Sequence, residues 1–254
     1  MSATPMSLER LFGLMAEKQA SDLFLSVGSP ITIKINGVCV PINQDRLAPQ
    51  AIVSLLAERL TDAHFRELED SRELNIGLPV QGIGSFRLSA FLQRGSISAV
   101  IRFIPHDVPK LDALHLPEVL KDLIMERRGM ILVVGAAGSG KSTTIASMLD
   151  HRNELSTGHV LTFEDPIEYL FRNKKSIINQ REIGSDARTL QAALRSAMRQ
   201  APDVIFIGEI RDRDTMSAAI AYSMSGHLVV ATLHATNSSH ALNRVISFYP
   251  PETR

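Results

Sequence analysis

With 254 residues the chain can bury a sizeable core, and its length suits one or two domains. Lys+Arg and Asp+Glu both number 27, so no net field argues for nucleic acid, and a single cysteine excludes an internal disulfide framework or a tetracysteine zinc site. The apolar runs are too short for a membrane span and Met1 to Arg10 lacks a secretory pattern, which predicts a soluble, cytoplasmic protein.

In chain order, Ser7 to Ala16 has helical apolar spacing, with Ser7 as its cap. Asp22–Ser26 and Ile31–Ile35 read as strands joined through Gly28-Ser29-Pro30. Asn36-Gly37 is a hairpin signal leading into Val38–Val40. Pro49 to Leu60 reads as a second helix, and Ser85–Phe91 with Ile97–Ile104 as a second β-pair. This order predicts a small α+β domain over residues 1–104, in which Cys39 is an ordinary small core residue. Prolines 105, 109 and 117 then punctuate a linker over 105–117.

From Glu118 to Arg254 helices and strands alternate, which predicts a second, α/β domain with a mainly parallel sheet and right-handed crossovers. The strands expected are Met130–Val134, Val160–Phe163, Val204–Ile207 and Leu228–Thr232. Ligands of such sheets bind at the C-terminal strand ends. Residues Gly135, Ala136, Ala137, Gly138, Ser139, Gly140, Lys141 and Ser142 spell a complete phosphate-binding loop between the first of these strands and a helix from Thr143 to Leu149. Glycines let backbone N–H groups turn toward phosphate oxygens, and Lys141 brings a point charge to the β/γ-phosphates. The Ser142 hydroxyl can ligate Mg²⁺, and the N-terminus of the helix at Thr143 adds positive dipole.

Other candidate groups follow the later strands. Val204–Ile207 delivers Glu209, which can hold Mg²⁺ through water or polarise the attacking water. Glu164, Asp165 and Glu168 crowd one short segment, so a cation such as Mg²⁺ or an arginine is expected to compensate them. Glu164 is the candidate general base or water-orienting residue, and Pro166 stiffens its turn. His234 is either a loop residue or a sensor of the γ-phosphate. Helical spacing over Thr189–Gln200 puts Leu190, Leu194 and Met198 on an apolar side and Arg188, Arg195 and Arg199 on another. That second side is a solvated basic face or a subunit contact. Arg87, Arg94 and Arg102 in the first domain are candidates to neutralise transition-state charge.

Taken together, Ser21-Asp22-Leu23, Gly84–Phe91, the phosphate loop, Glu164–Glu168, Gly208–Asp212 and Thr232–His234 resemble the ordered motifs of the secretion ATPase superfamily. The match is to its type IV pilus retraction branch, the PilT/PilU family, and is nearest the accessory PilU type. The resemblance implies a PAS-like N-terminal domain and a RecA-like ATPase domain, in a homo-hexamer using ATP and Mg²⁺. It implies work at the cytoplasmic side of the inner membrane, against the pilus platform protein and in concert with a partner retraction ATPase, to drive twitching motility. It also implies a C-terminal helical part that this chain, ending at Arg254, lacks. An ATP-binding scaffold with little turnover is the alternative. A DNA-translocating relative lacks support because no basic tract appears.

Overall fold

The computed structural model describes residues 6–104, 108–136 and 138–250. The chain divides into two compact units, Met1–His106 and Asp107–Arg254. No described helix is long and apolar enough to cross a membrane.

The first unit runs α1 (Leu8–Glu17), β1 (Asp22–Leu25), β2 (Thr32–Ile35), β3 (Val38–Pro41), α2 (Pro49–Ala57), α3 (Asp62–Ser71), β4 (Glu73–Val80), β5 (Gly84–Gln93) and β6 (Ser96–Ile104). Its sheet is antiparallel throughout, in the order β3-β2-β1-β6-β5-β4. Ser7 caps α1 by accepting from Arg10 N, and Leu8, Leu11, Phe12 and Met15 bury its apolar face. Phe12 stacks on Phe86 of β5 with ring centroids 4.1 Å apart, which anchors the helix to the sheet. Asn36 and Gly37 both take positive φ, so the β2–β3 turn has the twist that tight hairpins need.

Two elements and one residue depart from the sequence reading. α3 was not expected because its sequence is polar and Leu68 alone is buried; it starts on a capping box between Thr61 and His64 instead. β4 contains Gly77 and Pro79, which read as breakers. It lies at the sheet edge, where proline is tolerated in a strand. Cys39 is exposed, not in the core, because every residue of the edge strand β3 faces solvent.

The second unit runs from a 3₁₀ turn at Leu111–Leu114 through α4 (Val119–Met125), β7 (Gly129–Val134), α5 (Lys141–Leu155), β8 (Gly158–Glu164), β9 (Ser176–Glu182), α6 (Leu190–Ala197), β10 (Val204–Ile207), α7 (Arg213–Met224) and β11 (Leu228–Leu233) to α8 (Ser238–Ser247). The sheet is parallel, in the order β7-β11-β10-β8-β9. Apolar cores form on both faces. Val204, Phe206 and Val230 pack with Met148 and Leu149 of α5, whereas Ile205, Ile207 and Val229 pack with residues of α6 and α7. Burial on two sides explains why β10 and β11 read as continuous apolar runs.

β9 was missed: it alternates buried and exposed residues and ends in Asn179-Gln-Arg-Glu182, so it lacks that apolar signature. α6 also differs from expectation. Its buried side is Ala193, Leu194 and Ala197, while Met198 opens a 3₁₀ turn and is exposed.

The buried Arg152 of α5 positions the helix that carries the phosphate loop. Its Nη1 donates to the carbonyls of Ile124 at 2.6 Å and Glu126 at 2.8 Å, satisfying acceptors that the end of α4 leaves open. Arg152→Met removes both bonds and strands the carbonyls. The expected result is a loss of about 2–4 kcal/mol from the second unit in urea titrations. An unchanged unfolding midpoint would count against this anchor.

Candidate functional site

The loop after β7 turns into α5 through Gly138 and Gly140, whose φ values are +74° and +89°. A Cβ at Gly135 would meet the Ser139 side chain, whereas Gly138 and Gly140 are needed for their positive φ. Gly140 is the N-cap of α5 and supplies no side chain to its first N–H groups, which leaves them able to receive an anion. Lys141 opens the helix, its ammonium donating to Gly135 O at 3.0 Å and Ala136 O at 2.9 Å. Ser142 Oγ donates to Glu168 Oε1 at 2.8 Å, and the Thr143 hydroxyl bonds the Tyr169 hydroxyl at 3.0 Å. Ala137 lies outside the described residues.

Three neighbouring strands end beside this loop. β8 delivers Glu164, β10 leads to Gly208 and Glu209, and β11 leads to His234. Their side chains, with Lys141, Ser142 and Arg188, line one cavity of about 650 Å³. Gly208 N donates to Phe163 O at 2.7 Å, and Thr232 Oγ1 donates to Gly208 O, so the three strand exits are tied together. Glu209 accepts from Arg211 Nε at 2.7 Å and lies 3.2 Å from His234 Nε2. Arg211 also reaches Asp165 at 3.8 Å.

The acidic segment meets a cation at Asp165 alone among the described residues. Arg211 faces Asp165, and the Ser142 hydroxyl serves Glu168. No cation is bonded to Glu164 among the described residues. Burial pushes its carboxyl up to about 7, against hydrogen bonds from Thr162, Gln180 and the Glu168 backbone that favour the ionised form; the Glu168 charge adds a smaller upward push. Thr162 Oγ1 donates to Glu164 Oε1 at 2.6 Å and Gln180 Nε2 at 3.1 Å. Asp212 behaves in the opposite way. The Thr215 N–H it caps at the start of α7 draws its carboxyl below the usual range.

Arg188 is not part of α6, which starts after the Thr189 cap; it lines the cavity, while Arg195 and Arg199 are exposed. Arg87, Arg94 and Arg102 belong to the first unit. Arg102 pairs with the buried Asp22 at 2.9 Å, Arg87 stands opposite Arg102 in the sheet, and Arg94 sits in the β5–β6 turn. Thr162, Gln180 and Arg211 were missed by sequence reasoning. Thr162 was within reach, since a strand period of two puts it on the same face as Glu164. Gln180 was not, because its place depends on the pairing of β9.

The oxygen donors of Ser142, Glu168 and Glu209 suit a hard cation such as Mg²⁺. Among the described residues no group of His, Cys, Asp and Glu forms a metal cage. Mg²⁺ held largely by phosphate and water needs none.

Residues 6–249 match the family described as Type II/IV secretion system protein. The chain belongs to this family. It is 43% identical to the type IV pilus ATPase PilU of Pseudomonas aeruginosa over 247 residues, which are 97% of this chain and 65% of that protein. It is 39% identical over 249 residues to the pilus retraction ATPase PilT of the same organism, covering 98% of this chain and 72% of that protein. A crystal structure titled as the pilus retraction motor PilT with bound ADP matches at a TM-score of 0.90 and 39% identity, over 96% of this chain and 72% of that one. Within the family the chain therefore groups with the pilus retraction ATPases, and it spans just under two thirds of the PilU relative's length.

The raised Glu164 carboxyl has a consequence for stability. Below its ordinary value of 4.5 both folded and unfolded chains hold the proton. As pH rises toward 7 the unfolded chain ionises first, so stability falls. Glu164→Gln should thus melt higher than the parent at pH 8, with the difference vanishing near pH 4. A difference independent of pH would contradict the raised carboxyl.

Proposed function

We propose that this chain is a Mg²⁺-dependent ATPase of a hexameric motor that powers type IV pilus retraction. The observation that carries this reading is the convergence of the phosphate loop, Glu164 and Glu209 on one cavity. The family supports it, and a relative's structure is titled with bound ADP. The first unit is read as the PAS-like domain and the second as the RecA-like ATPase domain.

In this reading the N–H groups around Gly138–Thr143 and the Lys141 ammonium hold the β/γ-phosphates. The Ser142 hydroxyl and, through water, Glu209 would hold Mg²⁺, which would supply neutralisation of phosphate charge. Glu164 takes the proton of the attacking water as the new O–P bond forms and the bond to the β-phosphate bridging oxygen breaks, leaving ADP and phosphate. Electrostatic stabilisation comes from Lys141 and from arginines, with Arg87, Arg94 and Arg102 as the candidates of the first unit. His234, which lies 3.2 Å from Glu209, would report nucleotide state to α8, which begins shortly after it. Partners follow from the same reading: further copies of the chain, a second retraction ATPase, and the pilus platform at the inner membrane.

Lys141→Ala should abolish hydrolysis. Glu209→Ala should keep nucleotide binding while turnover falls by about a hundredfold or more. Parent-rate hydrolysis by Lys141→Ala would refute the assignment of the loop. A base must be ionised to act, so hydrolysis should rise with pH through about 7, where Glu164 loses its proton. A pH-independent rate from 5.5 to 8.5 would remove Glu164 from that role.

A further inference from the structure

Thr162 and Gln180 stand directly opposite each other on β8 and β9, and both side chains point at one oxygen of Glu164. Thr162 is fully buried and donates its hydroxyl proton to Glu164 Oε1. Gln180 is half-buried, and its amide is fully used. One N–H goes to Glu164 Oε1 at 3.1 Å, Nε2 also donates to Tyr169 O at 2.8 Å, and the carbonyl accepts from Phe171 N at 2.9 Å. Tyr169 in turn bonds Thr143, and the adjacent Glu168 bonds Ser142. One amide therefore links the Glu164 carboxyl to the segment that grips both hydroxyls at the start of α5.

We infer that Thr162 and Gln180 are positioning residues for hydrolysis, which saturate Oε1 of Glu164 and so leave Oε2 as the oxygen that receives the proton of the attacking water. The inference rests on the reading of Glu164 as the base and assigns it a working atom and a support. A carboxylate with one oxygen engaged by two fixed donors cannot rotate freely about its last torsion, so the second oxygen keeps a constant direction. Proton transfer needs hydrogen-bond reach, and a shift of about 1 Å can cost a hundredfold. A filler role in the sheet would not require a hydroxyl at 162 or an amide at 180. An apolar side chain of equal size would serve there.

The test is steady-state ATP hydrolysis by the full chain bearing Thr162→Val, Thr162→Ser, Gln180→Leu, Gln180→Met and Glu164→Gln, with melting temperatures recorded for each. Thr162→Val and both Gln180 variants should each lose about tenfold in kcat while KM for ATP stays within about twofold. Thr162→Ser keeps the donor and should remain within about twofold of the parent. The Thr162→Val/Gln180→Leu double variant should approach the rate of Glu164→Gln. If Glu164→Gln is inactive yet the Thr162 and Gln180 variants turn over at the parent rate, the positioning role is refuted and the base survives. If their losses follow melting temperature, or Thr162→Ser fails as Thr162→Val does, the role is packing and the inference falls. If Glu164→Gln itself hydrolyses at the parent rate, the base assignment fails and takes the inference with it.

Discussion

Gly208 lies so close to β8 that a Cβ there would meet Phe163 O at 3.1 Å and Glu164 Cα at 3.3 Å. That approach lets Gly208 N donate to Phe163 O and brings the exits of β8 and β10 into backbone contact. The two carboxylates that follow, Glu164 and Glu209, then enter one cavity instead of splaying apart along a twisted sheet. Parallel pairing does the rest. With β7, β11, β10 and β8 running the same way, the phosphate loop, His234, Glu209 and Glu164 all emerge at one edge.

Crowding several acids at that edge carries an electrostatic cost, which the protein meets differently at each side chain. Glu209 and Asp165 share Arg211, an exposed side chain that water screens, so these contacts orient more than they stabilise. Glu168 is served by a neutral hydroxyl. Glu164 is withdrawn from water and responds by holding its proton more tightly. At Glu164 burial outweighs the hydrogen bonds that favour the ionised form, which is the property a site needs to take up a proton near neutral pH.

The legibility of the elements follows how each one is buried. β10 and β11 are covered on both faces, so their apolar runs stand out in the sequence almost residue for residue. The phosphate loop is legible because its conformation demands glycine at positions that only glycine fits, including Gly138 and Gly140 at positive φ. α3 buries only Leu68 and β9 is largely polar, so neither stands out, while the edge strand β4 alternates Leu74, Ile76, Leu78 and Val80 inward but is interrupted in sequence by Gly77 and Pro79. The misreading of Cys39 has the same origin. A small apolar residue says nothing about whether its strand is central or at an edge.

Local chemistry was written in the chain itself: a loop able to wrap phosphate, acids at strand ends, and a parallel-sheet alternation, each set by residues near one another in sequence. Short-range sterics and hydrophobic period fix such features before any long-range contact forms. Which residues serve Glu164 was decided only by the pairing of β9 beside β8, which sets Gln180 opposite Thr162. The balance of charge at the site was likewise decided in three dimensions, because desolvation depends on everything that surrounds a group and not on its neighbours in the chain.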